Sequence, residues 1–166
     1  MAVGGIGMIK LLIVDDEKRT RGGLVKCIPW EAMGIDVIEE AEDGVIALEV
    51  ASRLQPDIVL CDIRMPRMNG IEFATLLREK LEECKIIFIS GYSDKEYLKS
   101  AIKLKAVSYL EKPINIGELK SVMQNTIATV LEEREKKKRP ISPGKLLKRA
   151  APSSFSTFRY SSRQAI

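Results

Sequence analysis

Four short apolar runs in this chain each end abruptly in groups that can do chemistry. Leu11-Leu12-Ile13-Val14 meets Asp15-Asp16, Ile58-Val59-Leu60-Cys61 meets Asp62, Ile86-Ile87-Phe88-Ile89 meets Ser90, and Ala106 to Leu110 leads into Glu111-Lys112-Pro113. A run that is apolar throughout and polar where it leaves the core is the pattern of a strand buried on both faces of a parallel sheet. Ligands of open α/β sheets collect at the carboxyl ends of such strands. Three carboxylates gathered at one edge repel each other, and a divalent cation relieves the repulsion. Hard oxygen donors favour Mg²⁺ over zinc or copper. A lysine and a hydroxyl beside that cation suit a phosphoryl group, whose transfer needs charge neutralisation and positioning more than covalent machinery. The residues therefore predict a Mg²⁺-dependent phosphoryl site. Taken singly, each also has a plainer reading: Asp62 as the start of a turn, Asp15-Asp16 as a helix cap, Lys112 as a surface lysine, Ser90 as the end of a loop.

Composition narrows the chemistry further. The 166 residues contain no histidine, which removes Ser-His and Cys-His nucleophile pairs and histidine-based metal sites. Cys27, Cys61 and Cys84 are scattered and odd in number, so neither a disulfide framework nor a zinc site is predicted. No apolar run approaches the roughly 20 residues of a membrane span, and the start carries no charged-then-apolar leader; a cytoplasmic location with no membrane partner is expected. The net charge of +4 is unevenly distributed. Residues 133–166 carry 10 Lys/Arg against 2 Asp/Glu, whereas residues 1–132 carry 17 against 21. A basic nucleic-acid footprint is thus confined to the tail.

The elements that must position these groups follow from periodicity. After the first strand, Lys18 to Ile28 reads as a helix stopped by Pro29, although Gly22-Gly23 each cost about 1 kcal/mol relative to alanine in a helix interior. Ile35 to Ala41 reads as a half-exposed edge strand. Asp43-Gly44 makes a turn, and Val45, Leu48, Ala51 and Leu54 give the buried stripe of a second helix closed by Pro56. Asn69-Gly70 opens a third helix with Ile71, Phe73, Ala74, Leu77 and Leu81 inward. Asp94 caps a fourth helix with Tyr97, Leu98, Ala101 and Ile102 inward, and Ile116, Leu119, Met123, Ile127 and Val130 mark a fifth. Strands and helices alternate five times, which predicts an α/β fold with a doubly wound, five-stranded parallel sheet. The fifth helix is expected to continue past Glu132 toward Arg139. From Ser153 the chain is rich in Ser and Arg without periodicity, and a disordered tail is expected there.

In this order and spacing, Asp15-Asp16, Asp62 with Met65-Pro66 and Asn69-Gly70 behind it, Ser90, Tyr109 and Lys112-Pro113 strongly resemble the receiver domain of two-component response regulators. The resemblance covers residues 8–132 and leaves 133–166 as a basic linker and tail. Pro29-Trp30, Ser90-Gly91-Tyr92 and Tyr109-Leu110 are similar to receivers attached to DNA-binding regulators of the arabinose-regulator type. The resemblance implies a flavodoxin-like sheet of order 2-1-3-4-5 and a phosphoacceptor, Asp62, that takes a phosphoryl group from a sensor histidine kinase. It implies that Asp16, Asp62 and the backbone carbonyl of Arg64 bind Mg²⁺, with Asp15 acting through water, and that Lys112 pairs with the phosphoryl oxygens. Ser90 and Tyr109 would act as switch residues that alter the surface of the fourth helix, fifth strand and fifth helix, where a homodimer would form. A cis Lys112-Pro113 bond is also implied. Two departures stand out: Lys105 replaces a frequent glycine after the fourth helix, and Arg64 and Tyr92 are bulky enough to crowd a phosphoryl group and exclude water.

The function so implied is a signalling switch and not a turnover enzyme, controlling transcription through an output domain outside this chain, which would supply the contact with DNA. A stand-alone receiver working by protein contact is the first alternative. An aspartate-nucleophile phosphohydrolase is the second, but it expects a spaced second aspartate after strand one, and Asp15-Asp16 are adjacent. A nucleic-acid-binding protein is supported only by the tail from Arg134 to Arg149.

Overall fold

The computed structural model describes residues 7–91, 95–140 and 159–160. The elements follow the order β1 (Lys10–Val14), α1 (Lys18–Cys27), α2 (Trp30–Met33), β2 (Val37–Ala41), α3 (Gly44–Leu54), β3 (Ile58–Asp62), α4 (Gly70–Lys80), β4 (Lys85–Ser90), α5 (Lys95–Lys103), β5 (Ser108–Glu111) and α6 (Ile116–Lys138). The five predicted strands pair in parallel in the order β2-β1-β3-β4-β5. A sixth strand of two residues, β6 (Arg159–Tyr160), pairs in parallel with β5. The rest of the predicted disordered tail, and the Asp94 cap with Tyr92, lie outside the described residues.

Strand alternation divides the core into two layers. Leu12, Val14, Val59, Cys61, Phe88 and Tyr109 face one layer with residues of α3, α4 and α5. Leu11, Ile13, Ile58, Leu60, Ile87, Ile89 and Leu110 face the other with residues of α1, α2 and α6. Every residue of β3 is buried, which is why its sequence is a continuous apolar run with no polar alternation.

Several helices differ in detail from their predicted form. A stripe at strict spacing of three turns back about 60° per step on a helix of 3.6 residues per turn, so Val45, Leu48, Ala51 and Leu54 cannot share one face. Gly44, Ala47, Val50, Ala51 and Leu54 are the residues α3 buries, while Val45 and Leu48 are half-buried. On α5, Ala101 takes the inward position and Ile102 is 53% exposed. The first helix ends before Pro29 as expected, but the short α2 follows it and buries Trp30, whose indole Nε1 donates to the carbonyl of Leu24 at 3.0 Å. Lys105 adopts a left-handed conformation with φ of 55°, the geometry for which glycine is usually selected. The helix α6 runs without a break beyond Glu132 to Lys138.

The amino edge of the sheet is tied together by charge. Arg134 on α6 bonds Asp57 at 2.6 Å and also the carbonyl of Gly7, and the other oxygen of Asp57 accepts from the Lys10 amide at 2.9 Å. Lys85 at the start of β4 pairs with Glu133 at 2.8 Å. A cavity of about 340 Å³ lies at this edge beside Asp57, Lys80, Arg134 and Lys137, away from the strand ends singled out for chemistry.

Two glycines differ sharply in what they tolerate. A Cβ on Gly70 would sit 2.2 Å from the carbonyl oxygen of Asp62, whereas one on Gly22, inside α1, meets nothing within 4 Å. Urea unfolding followed by the fluorescence of Trp30 should therefore show Gly70→Ala destabilised by about 1–3 kcal/mol through overpacking. By the same measurement Gly22→Ala should be stabilised by roughly 0.5–1 kcal/mol through reduced chain entropy.

Candidate functional site

The register of the parallel strands brings the predicted groups together. Val14 pairs with Cys61 and Ile13 with Leu60, so Asp15 and Asp62 are the next residues along neighbouring strands. The alternation that turns Ile13, Leu60 and Leu110 toward one layer gives Asp15, Asp62 and Lys112 the same parity. Phe88 and Tyr109 belong to the opposite layer, and Ser90 shares their parity. The edge thus divides into a charged half on the α1 and α6 side and a hydroxyl-bearing half on the α5 side.

In the charged half, the Lys112 ammonium donates to Oδ2 of Asp15 at 3.0 Å and to Oδ2 of Asp62 at 3.3 Å. Asp15 is buried and its Oδ1 accepts from the amide of Glu17 at 2.8 Å. Asp62 is buried, while Asp16 is exposed. One oxygen from each of Asp15, Asp16 and Asp62 falls within 4.8 Å of the others. This all-oxygen, net negative set fits a hard divalent cation.

One lysine does not neutralise three carboxylates. Burial, then the charge of Asp15, push the pKa of Asp62 up to about 6 from an ordinary 3.8, against the opposing pull of Lys112 and with a smaller push from Asp16. For Lys112, burial works to lower the pKa, but the hydrogen bond to Asp15 and the charge of Asp62 outweigh it and the net shift is upward. Lys112 therefore stays charged, and Asp62 carries the site's excess. The thiol of Cys61 is fully buried and held well above its usual range, first by burial and then by Asp62 and Asp15, so it acts as packing beside the carboxylate.

Ser90 ends β4 and is buried, and its carbonyl accepts from the Lys112 amide at 2.8 Å. Tyr109 is 1% exposed and lies in the layer that contains Phe73 and Phe88. The Lys112-Pro113 bond is cis. Arg64 lies two residues beyond Asp62 in the loop 63–69, with its guanidinium carbon 5.8 Å from the centroid of the Tyr97 ring on α5.

The same loop contains a link that the sequence reading lacks. Arg67 holds Asp43 through Nε at 2.8 Å and through a second, shorter contact from Nη2. Asp43 is buried and caps α3 by accepting from the amides of Val45 and Ile46. The carboxylate is 24 residues from the guanidinium, and Asp43-Gly44 carries an obvious local reading as a turn. The burial of Asp43 between the start of α3 and the 63–69 loop was the missing signal.

Comparison with known proteins agrees with this geometry. Residues 11–124 match the response regulator receiver domain. Among curated proteins, the transcriptional regulatory protein HptR of Staphylococcus aureus is 36% identical over 136 residues, covering 82% of this chain and 53% of that protein. The chain thus spans about half the length of the curated relatives it matches. Among solved structures, a two component transcriptional regulator AraC from Clostridium phytofermentans is 43% identical, with a TM-score of 0.69 over 77% of this chain and 98% of that one. The REC domain of AraT, a response regulator from Geobacillus stearothermophilus, is 36% identical, with a TM-score of 0.67 over 80% and 100%. Among the described residues no helix is long and apolar enough to cross a membrane. With the family match covering most of its length and the relatives agreeing, this chain belongs to the response regulator receiver domain family.

Proposed function

We propose that the chain is the phosphoacceptor receiver of a two-component transcription regulator and that Asp62 is the residue modified. The observation that carries this reading is the Lys112 ammonium set between Asp15 and Asp62, with a third carboxylate, Asp16, exposed beside them. A carboxylate oxygen of Asp62 forms the new P–O bond as the P–N bond of a phosphohistidine on a sensor histidine kinase breaks, and the released imidazole takes up a proton. Lys112 then turns from the Asp62 carboxylate to the phosphoryl oxygens it replaces. Asp16 and Asp62, with the Arg64 carbonyl, would hold Mg²⁺ directly. Both oxygens of Asp15 are already engaged, by Lys112 and by the Glu17 amide, which suits a role through water. When bound, Mg²⁺ supplies charge neutralisation for the phosphoryl oxygens.

Ser90 would hydrogen-bond the phosphoryl group from the α5 side, and Tyr109 would follow it, altering the face formed by α5, β5 and α6. That face is proposed as a homodimer surface. Control of transcription would act through a separate output domain, since the relatives extend well beyond the matched region. The adjacency of Asp15 and Asp16 disfavours a phosphohydrolase, and the chain is read as a switch modified once, with only slow self-dephosphorylation.

Intact-mass measurement after incubation with a small acyl phosphate tests the assignment. Wild-type protein should gain the mass of one phosphoryl group only with Mg²⁺ present, and Asp62→Ala should gain none. Modification that persists in the variant, or that ignores the metal, would overturn it.

The raised pKa of Asp62 gives a second test, in chelator. A carboxyl with a folded pKa of about 6 and an unfolded value near 3.8 binds its proton more tightly in the folded state, so ionising it opposes folding. This cost is absent at low pH, grows as pH rises from about 4 to 6 and is complete above that. Metal-free Asp62→Asn should therefore be more stable than wild type at pH 7 by on the order of 1–2 kcal/mol, a gain that fades toward pH 4. Adding Mg²⁺ should raise the melting temperature of wild type more than that of the variant.

A further inference from the structure

The loop 63–69 joins the phosphoacceptor to α4 and contributes Arg64, so its path decides where the Arg64 carbonyl lies. Both ends and the middle of this loop are restrained. At its far end, Gly70 donates to the carbonyl of Ile63 at 2.8 Å and packs against the Asp62 backbone closely enough to exclude any side chain. In the middle, the Gly44 amide donates to the Met68 carbonyl at 3.2 Å, and a Cβ on Gly44 would fall 2.7 Å from Met68.

Between these restraints Arg67 adopts a left-handed conformation with φ of 66°. A non-glycine residue in that region is strained and persists only where its surroundings over-determine it, which is characteristic of functional loops. Here the holding group is identifiable. Asp43 divides its carboxylate, using Oδ1 to cap α3 through the amides of Val45 and Ile46 and Oδ2 to take both Nε and Nη2 of Arg67. Burial works to raise the pKa of Asp43, but the Ile46 amide and Arg67 outweigh it and hold it below its usual value. The Arg67 side chain is itself 55% exposed, and a pair with one arm in water adds little to global stability. A strained backbone held by a pair of small stabilising worth, on the loop leading from the phosphoacceptor, calls for a reason other than folding.

We infer that Asp43 and Arg67 are positioning residues: their ion pair fixes the 63–69 loop against α3 and so holds the Arg64 carbonyl in place for the divalent cation. The inference rests on the function proposed above. Neither residue touches the phosphoryl group; both act through the backbone between Asp62 and Asn69.

Calorimetric titration of MgCl₂ into the full chain tests this, together with the melting temperature in chelator. Asp43→Asn keeps an oxygen to cap α3 but removes the charge, and Arg67→Gly removes the guanidinium while relieving the left-handed φ. Each should weaken Mg²⁺ binding by about tenfold, as the loss of a group that orients a ligand does. The double variant should be no weaker than either single one, because both break the same contact. Arg67→Lys should recover part of the loss, and Arg53→Ala, which breaks the exposed Arg53–Glu39 pair at 2.6 Å, should leave binding unchanged. If Asp43→Asn and Arg67→Gly shift only the melting temperature and bind Mg²⁺ as wild type does, the pair is structural and the inference is wrong. It is equally wrong if Arg67→Gly alone binds normally. If wild type binds no more Mg²⁺ than Asp62→Ala does, the proposed site fails, and this inference fails with it.

Discussion

One lysine between two buried carboxylates is the interaction on which the carboxyl edge depends. Lys112 reaches Asp15 at 3.0 Å and Asp62 at 3.3 Å, and without it two negative groups would stand side by side with little water to separate them. The lysine offsets part of that repulsion, and burial first and the Asp15 charge second still push Asp62 upward. A site balanced in this way is stable enough to fold and still short of positive charge. That shortage favours a divalent cation over any neutral ligand.

The sheet holds this arrangement by register and parity alone. Asp15, Asp62 and Lys112 come from three strand ends, and only a parallel order that sets β1 beside β3 could bring the first two together. The same alternation sends Ser90 and Tyr109 toward the α5 layer. Asp15, Asp62 and Lys112 therefore share one parity at this edge, and Ser90 and Tyr109 share the other. The amino edge is closed by the Arg134–Asp57 and Lys85–Glu133 pairs.

Much of this was legible because strands buried on both faces leave a strong mark. Each apolar run and its polar terminus located a strand and its functional end together, and the strand order followed from the resemblance that those ends carried. Helix faces were less legible. The spacing of three on α3 drifts across the helix surface, and Ile102 shows that an apolar residue beside a small one can be left outside when Ala101 fits the contact. The helix α2 was hidden because Pro29 reads as a stop, whereas proline is also well suited to the entrance of a helix. The Asp43–Arg67 contact was hidden for a different reason. Its partners are remote in sequence, and each has an adequate local explanation.

That last failure bears on how the domain works. Contacts made within one element announce themselves through periodicity, but the contacts that set a loop's path join elements that have no shared pattern. At this edge the chemistry-bearing side chains sit on strands, where backbone hydrogen bonds hold them. The cation's expected backbone ligand sits on a loop, which is held by a side-chain ion pair as well as by backbone hydrogen bonds. On the proposed function, the domain would hold Asp62 rigidly for attack and still allow the α5 side to move afterwards. Asp43 and Gly44 restrain the 63–69 loop toward the start of α3. On the proposed function, the loop would stay fixed while Ser90 and Tyr109, on β4 and β5, respond to a phosphoryl group.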